Sequence, residues 1–193
     1  MRLAEIDSGD SLGNRLLIRF ISMVSGMRLP DAARVAFYHK DFLGEAHGAW
    51  TQATMRGPSS WSIGERELMA AMVAHWNTCP FCVSAHGAIA TRGLSRNVVD
   101  AALADYHTAP LSPGLIATLG FLEKLTRTPD ELTAADAKTV FAAGVTAESL
   151  TDATAVATLF AIVTRHANAL RFSMPTDAEF DKAADMLLKR GYA

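Results

Sequence analysis

Helix starts are the clearest structural signal in this chain. Ser62-Ile-Gly-Glu65 and Thr176-Asp-Ala-Glu179 each set a hydroxyl at a cap position and a carboxylate three residues later, the reciprocal pairing that closes the first turn of an α-helix. After the first, Leu68, Met69, Met72, Val73 and Trp76 return at helical spacing; after the second, Phe180, Ala183, Ala184, Leu187 and Leu188 do so until Gly191 stops the run. Thr133-Ala-Ala-Asp136 starts a further helix that Gly144 ends. Leu111, Leu115, Leu119 and Leu122 make another stripe, whose helix tolerates Pro113 only in its first turn. The spacing also predicts helices over Leu12–Ser25, over Asp31–Met55 with a break at Gly44 or Gly48, and over Ala147–Leu170. No strand-like alternation and no repeat interrupts this pattern. The expected fold class is all-α, one domain over residues 1–193.

Composition narrows the function classes. Half of the residues are apolar, enough for a substantial core and too many for a disordered chain. A net charge of −2, from 18 basic and 20 acidic residues without long runs, gives no nucleic-acid or membrane-surface footprint. The opening MRLAEIDSGD has no basic-then-apolar order, so no signal peptide is expected, and the apolar stretch Ala155–Val163 is too short to span a bilayer. The expectation is a soluble cytoplasmic protein without nucleic-acid or membrane partners.

The only two cysteines stand in the stretch His75–His86, HWNTCPFCVSAH. Pro80 cannot sit inside a helix and pushes Cys79 out of the α region, so one helix should end near Asn77 and another begin with Cys79 as cap and Pro80 at its first position. Cys82 then lies in the first turn and His86 one turn on, along the same face. Unpaired amides at such a helix start favour a thiolate, and two cysteines three apart on a helix are within disulfide range.

Three readings compete. A zinc site of His75, Cys79, Cys82 and His86 would need the chain to fold back sharply, because eleven helical residues span roughly 16 Å while zinc bonds are about 2.0–2.3 Å. Two buried cysteines acting as small hydrophobes is the ordinary reading. Redox chemistry outweighs both, since in a reducing cytosol this spacing points to reactive thiols; neither a metal nor a cofactor is expected. His75 reads as a cap of the preceding helix, and His39, His47, His107 and His166 as surface or core residues. Glu67 shares a helix face with Ala70, Ala71 and Ala74, where close packing would leave its carboxylate half-buried with a raised pKa, able to exchange protons. A solvated glutamate in a first helical turn is the ordinary alternative.

Arg66-Glu67-Leu68, Asn77, Cys79, Phe81-Cys82 and Ser84-Ala85-His86 together resemble the alkylhydroperoxidase D group of the carboxymuconolactone decarboxylase superfamily, especially its peroxidase-related branch. The similarity is strong over residues 62–93, with weaker features at Leu132–Asp136, Ala143–Thr146 and Arg165–Asn168. The resemblance implies an all-helical fold with a redox pair at a helix start, and assembly as a trimer or hexamer. By position it makes Cys82 the peroxide-attacking thiol, Cys79 the resolving thiol, and His86 and Glu67 a proton relay. Some members carry a further histidine where this chain has Phe81. The activity implied is thiol-dependent reduction of a hydroperoxide, reset by a dithiol reductant. The alternatives are a lyase of the decarboxylase type, which needs no thiols, and a non-enzymatic oligomer whose dithiol senses oxidants.

Overall fold

The capping boxes at Ser62 and Thr176 both close in the structure, and the first starts the helix around which the others are arranged. Glu65 N–H donates to Ser62 Oγ at 3.2 Å while Ser62 N–H donates to Glu65 Oε2 at 2.8 Å. The helix so begun, α5 (Ile63–Trp76), is buried from Arg66 to Ala74. A helix with no polar face has to be enclosed on all sides. It is: α4 (Glu45–Arg56), α6 (Pro80–Ala90), α7 (Arg96–Asp105), α8 (Pro113–Arg127) and α10 (Ala147–Leu170) all pack on it. The core joins Leu68, Met69, Met72 and Val73 of α5 to Leu115, Leu119 and Leu122 of α8 and to Val156, Leu159 and Phe160 of α10. Each such side chain contributes roughly 1.5–3 kcal/mol by leaving water. Where α5 begins, Gly64 meets Gly93 so closely that a Cβ on Gly93 would lie 2.9 Å from the Gly64 Cα. Only paired glycines allow that approach.

The computed structural model describes residues 1–38 and 44–192, and among them there is no strand. The remaining α-helices are α1 (Ala4–Ser8), α2 (Leu12–Ser25), α3 (Asp31–Phe37), α9 (Ala134–Ala142) and α11 (Asp177–Arg190). The all-α expectation holds, and α2 and α10 have the bounds read from spacing. Over 31–55, α4 starts at Glu45 with Gly44 as its cap, so Gly48 is interior rather than a break. Part of that break, and His39, lie outside the described residues. The spacing did not reveal α1, nor α7, which Ser95 caps by accepting from Val98 N–H at 3.3 Å. At 24 residues and mean hydropathy 1.2, α10 is long and apolar enough by length and composition to cross a membrane, which the count over Ala155–Val163 missed. Its buried residues form a stripe facing α5, α8 and α4, as expected of a core helix.

Candidate active site

The redox segment owes its geometry to one residue in an uncommon conformation. Thr78, at φ 51°, is left-handed, and with it α5 closes in a Schellman turn: Cys79 N–H donates to Ala74 O at 2.9 Å and Thr78 N–H to His75 O at 3.0 Å. The chain thereby reverses, Cys79 becomes the cap of α6, and Pro80 takes its first position. The sequence reading of this segment is matched. Asn168 of α10 holds the turn from outside, its Nδ2 donating to Asn77 O at 3.1 Å.

Both cysteines are free thiols, 1% exposed, enclosed with Ala74, Ala167, Phe81 and Phe180, with Phe172 packed alongside. Their burial is what the ordinary reading of two small hydrophobes expected, and reaction at either sulfur needs its cover to open. Phe81 meets Phe172 edge-on at 5.2 Å and Phe180 at 5.7 Å, so it serves as packing between the thiols and α11. The two thiols are inequivalent. Cys79 accepts a hydrogen bond from Cys82, and this, with the amides of Cys82 and Phe81 facing its sulfur, lowers it to about 7 despite burial. Neither amide caps it at full hydrogen-bond geometry, but both dipoles favour the thiolate. Cys82, as the donor to Cys79 and in a buried place beside its charge, is pushed up.

Glu67 and His86, 19 positions apart, are brought together: His86 Nδ1 lies 2.6 Å from Glu67 Oε2. Glu67 is fully buried rather than half-buried. Burial alone would raise its carboxyl, but the hydrogen bond and charge of His86 and the charge of Arg56 outweigh it and hold the carboxyl below its ordinary range. The expected raised pKa is thus overturned, because the site supplies partners for the charge. An ionised carboxylate only accepts, so Nδ1 of His86 carries hydrogen and Nε2 is its free position. Among the described residues no hydrogen bond joins His86 to either sulfur; their connection is the shared face of α6.

Two members of the site escaped the sequence reading. Arg56, the last residue of α4, sets Nη1 2.7 Å from Glu67 Oε1. Tyr192 donates its hydroxyl to the same oxygen at 2.9 Å. Burial and the Glu67 charge keep that phenol protonated, raising it well above its ordinary range. Arg66, from the resembling segment, donates to Thr54 O at 3.0 Å and Gly57 O at 2.9 Å, clamping the end of α4 that carries Arg56. No spacing rule connects Arg56 or Tyr192 with Glu67; only the basic residue in the last turn of α4 is an ordinary signal, and it suggests a helix end. His75 is exposed at the end of α5, away from the thiols, and no cluster of three metal-ligating side chains occurs among the described residues.

No protein-family model matches the sequence, and no curated protein is significantly similar to it. Solved structures do match. A peroxidase-related protein from Silicibacter sp. TM1040 superposes with a TM-score of 0.77 at 25% identity over 93% of each chain. An alkylhydroperoxidase AhpD core, a peroxidase-related protein from Ralstonia eutropha JMP134, does so at 0.71 and 27%, over 88% of this chain and 87% of its own. The debrominase Bmp8 shares the fold at 0.70 and 19%, over 90% of this chain and 93% of its own. Fold and neighbours agree with the resemblance carried by residues 62–93: the chain has an AhpD-like helical fold, similar to that of these peroxidase-related proteins.

Proposed function

We propose that the Cys79–Cys82 pair reduces a hydroperoxide at the expense of a dithiol. The observation that carries this reading is a lowered thiol at a helix cap, one turn from a histidine fixed by a buried carboxylate. Cys82 attacks the terminal peroxide oxygen, its proton passing to the free Nε2 of His86, and the O–O bond breaks. Cys82 becomes a sulfenic acid and the alkoxide leaves as alcohol with that same proton. The Cys79 thiolate then attacks the Cys82 sulfur, closing the disulfide and expelling hydroxide. One proton from solvent, passed on through His86 Nε2, releases it as water, and Glu67 balances the transient imidazolium charge. A dithiol reductant restores the pair by exchange. Access to the enclosed sulfurs requires Phe172 or Phe180 to yield.

The lowering of Cys79 also permits the reverse assignment, with Cys79 attacking. Cys82→Ser and Cys79→Ser, each treated with one equivalent of cumene hydroperoxide and a sulfenic-acid reagent, separate the two by mass spectrometry. An adduct in Cys79→Ser and none in Cys82→Ser is expected. The opposite pattern exchanges the roles, and an adduct in neither removes the peroxidase reading.

A second reading has one observation behind it. Bmp8 is a debrominase, and a cysteine-to-alanine variant of it is known in complex with 2,3,4-tribromopyrrole. A dithiol can reduce an aryl bromide to arene, with release of bromide and a proton and formation of the disulfide. Bromide release from a bromopyrrole without peroxide turnover would favour this reading. Activity surviving loss of both cysteines would favour a lyase.

A further inference from the structure

Tyr192 belongs to no helix, yet its ring is held like a bound ligand. Its hydroxyl donates to Glu67. The ring stacks at 23° to His86 with centres 6.4 Å apart, and the Arg56 guanidinium carbon lies 4.7 Å from the ring centre, over its face. Phe160 meets the His86 ring edge-on at 4.4 Å. A carboxylate, a cation and the His86 ring thus surround a phenol, with Phe160 backing the imidazole.

The fit is incomplete in one respect. The Arg56 side chain is 8% exposed, and its Nε and Nη2 are buried with no acceptor among the described residues. Buried donors are nearly always paired, so a guanidinium left against a ring face signals that the group now occupying the site does not use all of it. The segment that brings Tyr192 in is lightly tethered. Apart from the ring's own contacts, it is held by Gly191 N–H to Leu187 O at 2.9 Å and by Tyr192 N–H to Gln52 Oε1 at 2.7 Å.

We propose that Tyr192 is an internal stand-in for a small planar aromatic ligand with one hydrogen-bond donor, a phenol or an N–H heteroaromatic, which binds between Arg56, Glu67 and His86 when the 191–192 segment moves out. The donor is required because Glu67 is anionic and fully buried, and losing a partner there exposes it to the full desolvation cost. An acceptor on the ligand is favoured by the spare Arg56 donors. A tethered competitor acts at millimolar effective concentration, so simple phenols should bind the intact protein weakly. The inference stands apart from which reaction the thiols perform.

The test is calorimetric titration of 4-methylphenol and of toluene into three full-length proteins: wild type, Gln52→Ala and Tyr192→Ala. Tyr192→Ala should bind 4-methylphenol at least tenfold more tightly than wild type and tenfold more tightly than it binds toluene. Gln52→Ala leaves every ring contact in place but loosens the segment, and should fall between. Circular dichroism checks that each variant is folded; if Tyr192→Ala is not, Gln52→Ala decides alone. No gain over wild type in either folded variant, or equal binding of 4-methylphenol and toluene, overturns the proposal.

Discussion

Removing the charge from Glu67 leaves the Arg56 guanidinium buried against a neutral amide. Glu67→Gln should therefore destabilise the fold by about 3 kcal/mol, the usual consequence of breaking a buried pair from one side. Replacing both, as Glu67→Gln with Arg56→Met, should recover part of the loss; urea unfolding of the three variants measures it. The same pair predicts a pH dependence. The folded carboxyl of Glu67 is depressed, so its contribution is complete above the unfolded value near about 4.3 and is lost as pH falls through the lower folded value. At Cys79, the rate of iodoacetamide alkylation should rise through a midpoint of about 7. Cys82→Ala removes the hydrogen bond that is the largest cause, and should move that midpoint toward the roughly 8.5 of a free thiol.

The turn between α5 and α6 carries local strain that the redox segment needs. A β-branched residue in the left-handed region costs of order 1 kcal/mol or more, so Thr78→Gly should stabilise the protein by about 0.5–1 kcal/mol while keeping the Schellman turn. Loss of helix content or of dithiol reactivity in that variant would show that the threonine side chain does more than tolerate the turn. The cover over the thiols belongs to the segment after α10 and to α11. Phe172→Ala should open it, raising the alkylation rate several-fold above that of wild type at equal pH and costing about 2–3 kcal/mol from lost packing. Unchanged alkylation would place the access route elsewhere.

At the scale of the molecule, the least balanced surface among the described residues is α2. It buries only Ile18, while Leu12 is 74% and Met23 73% exposed, with Leu16, Leu17, Phe20 and Val24 also outside. Its charged residues, Arg15 and Arg19, lie on the flank near Asp7 and Arg34 instead. Six exposed apolar side chains on one helix amount to roughly 600 Å², approaching the 800 Å² per partner of a stable interface. A second copy of this chain is the occupant expected from the family resemblance. Leu16→Glu with Phe20→Glu should lower the mass measured by light scattering at micromolar concentration. A wild-type monomer under the same conditions would remove the expectation of a homo-oligomer.

Spacing and capping alone determined the all-helical class, the starts of α5, α8, α10 and α11, and the placing of Cys79, Pro80, Cys82 and His86 around one helix start. These are local properties, decided by residues within four positions of one another. The site's electrostatics were not legible in that way. Glu67 reads as a surface or half-buried carboxylate with a raised pKa until Arg56 and Tyr192, 11 residues before and 125 after it, arrive as partners and reverse the shift. Nothing in the spacing of the thiols tells that Phe172 and Phe180 close over them. A pKa or a burial is set by every charge and apolar group within a few ångströms, and only tertiary packing brings such distant parts of the chain that close.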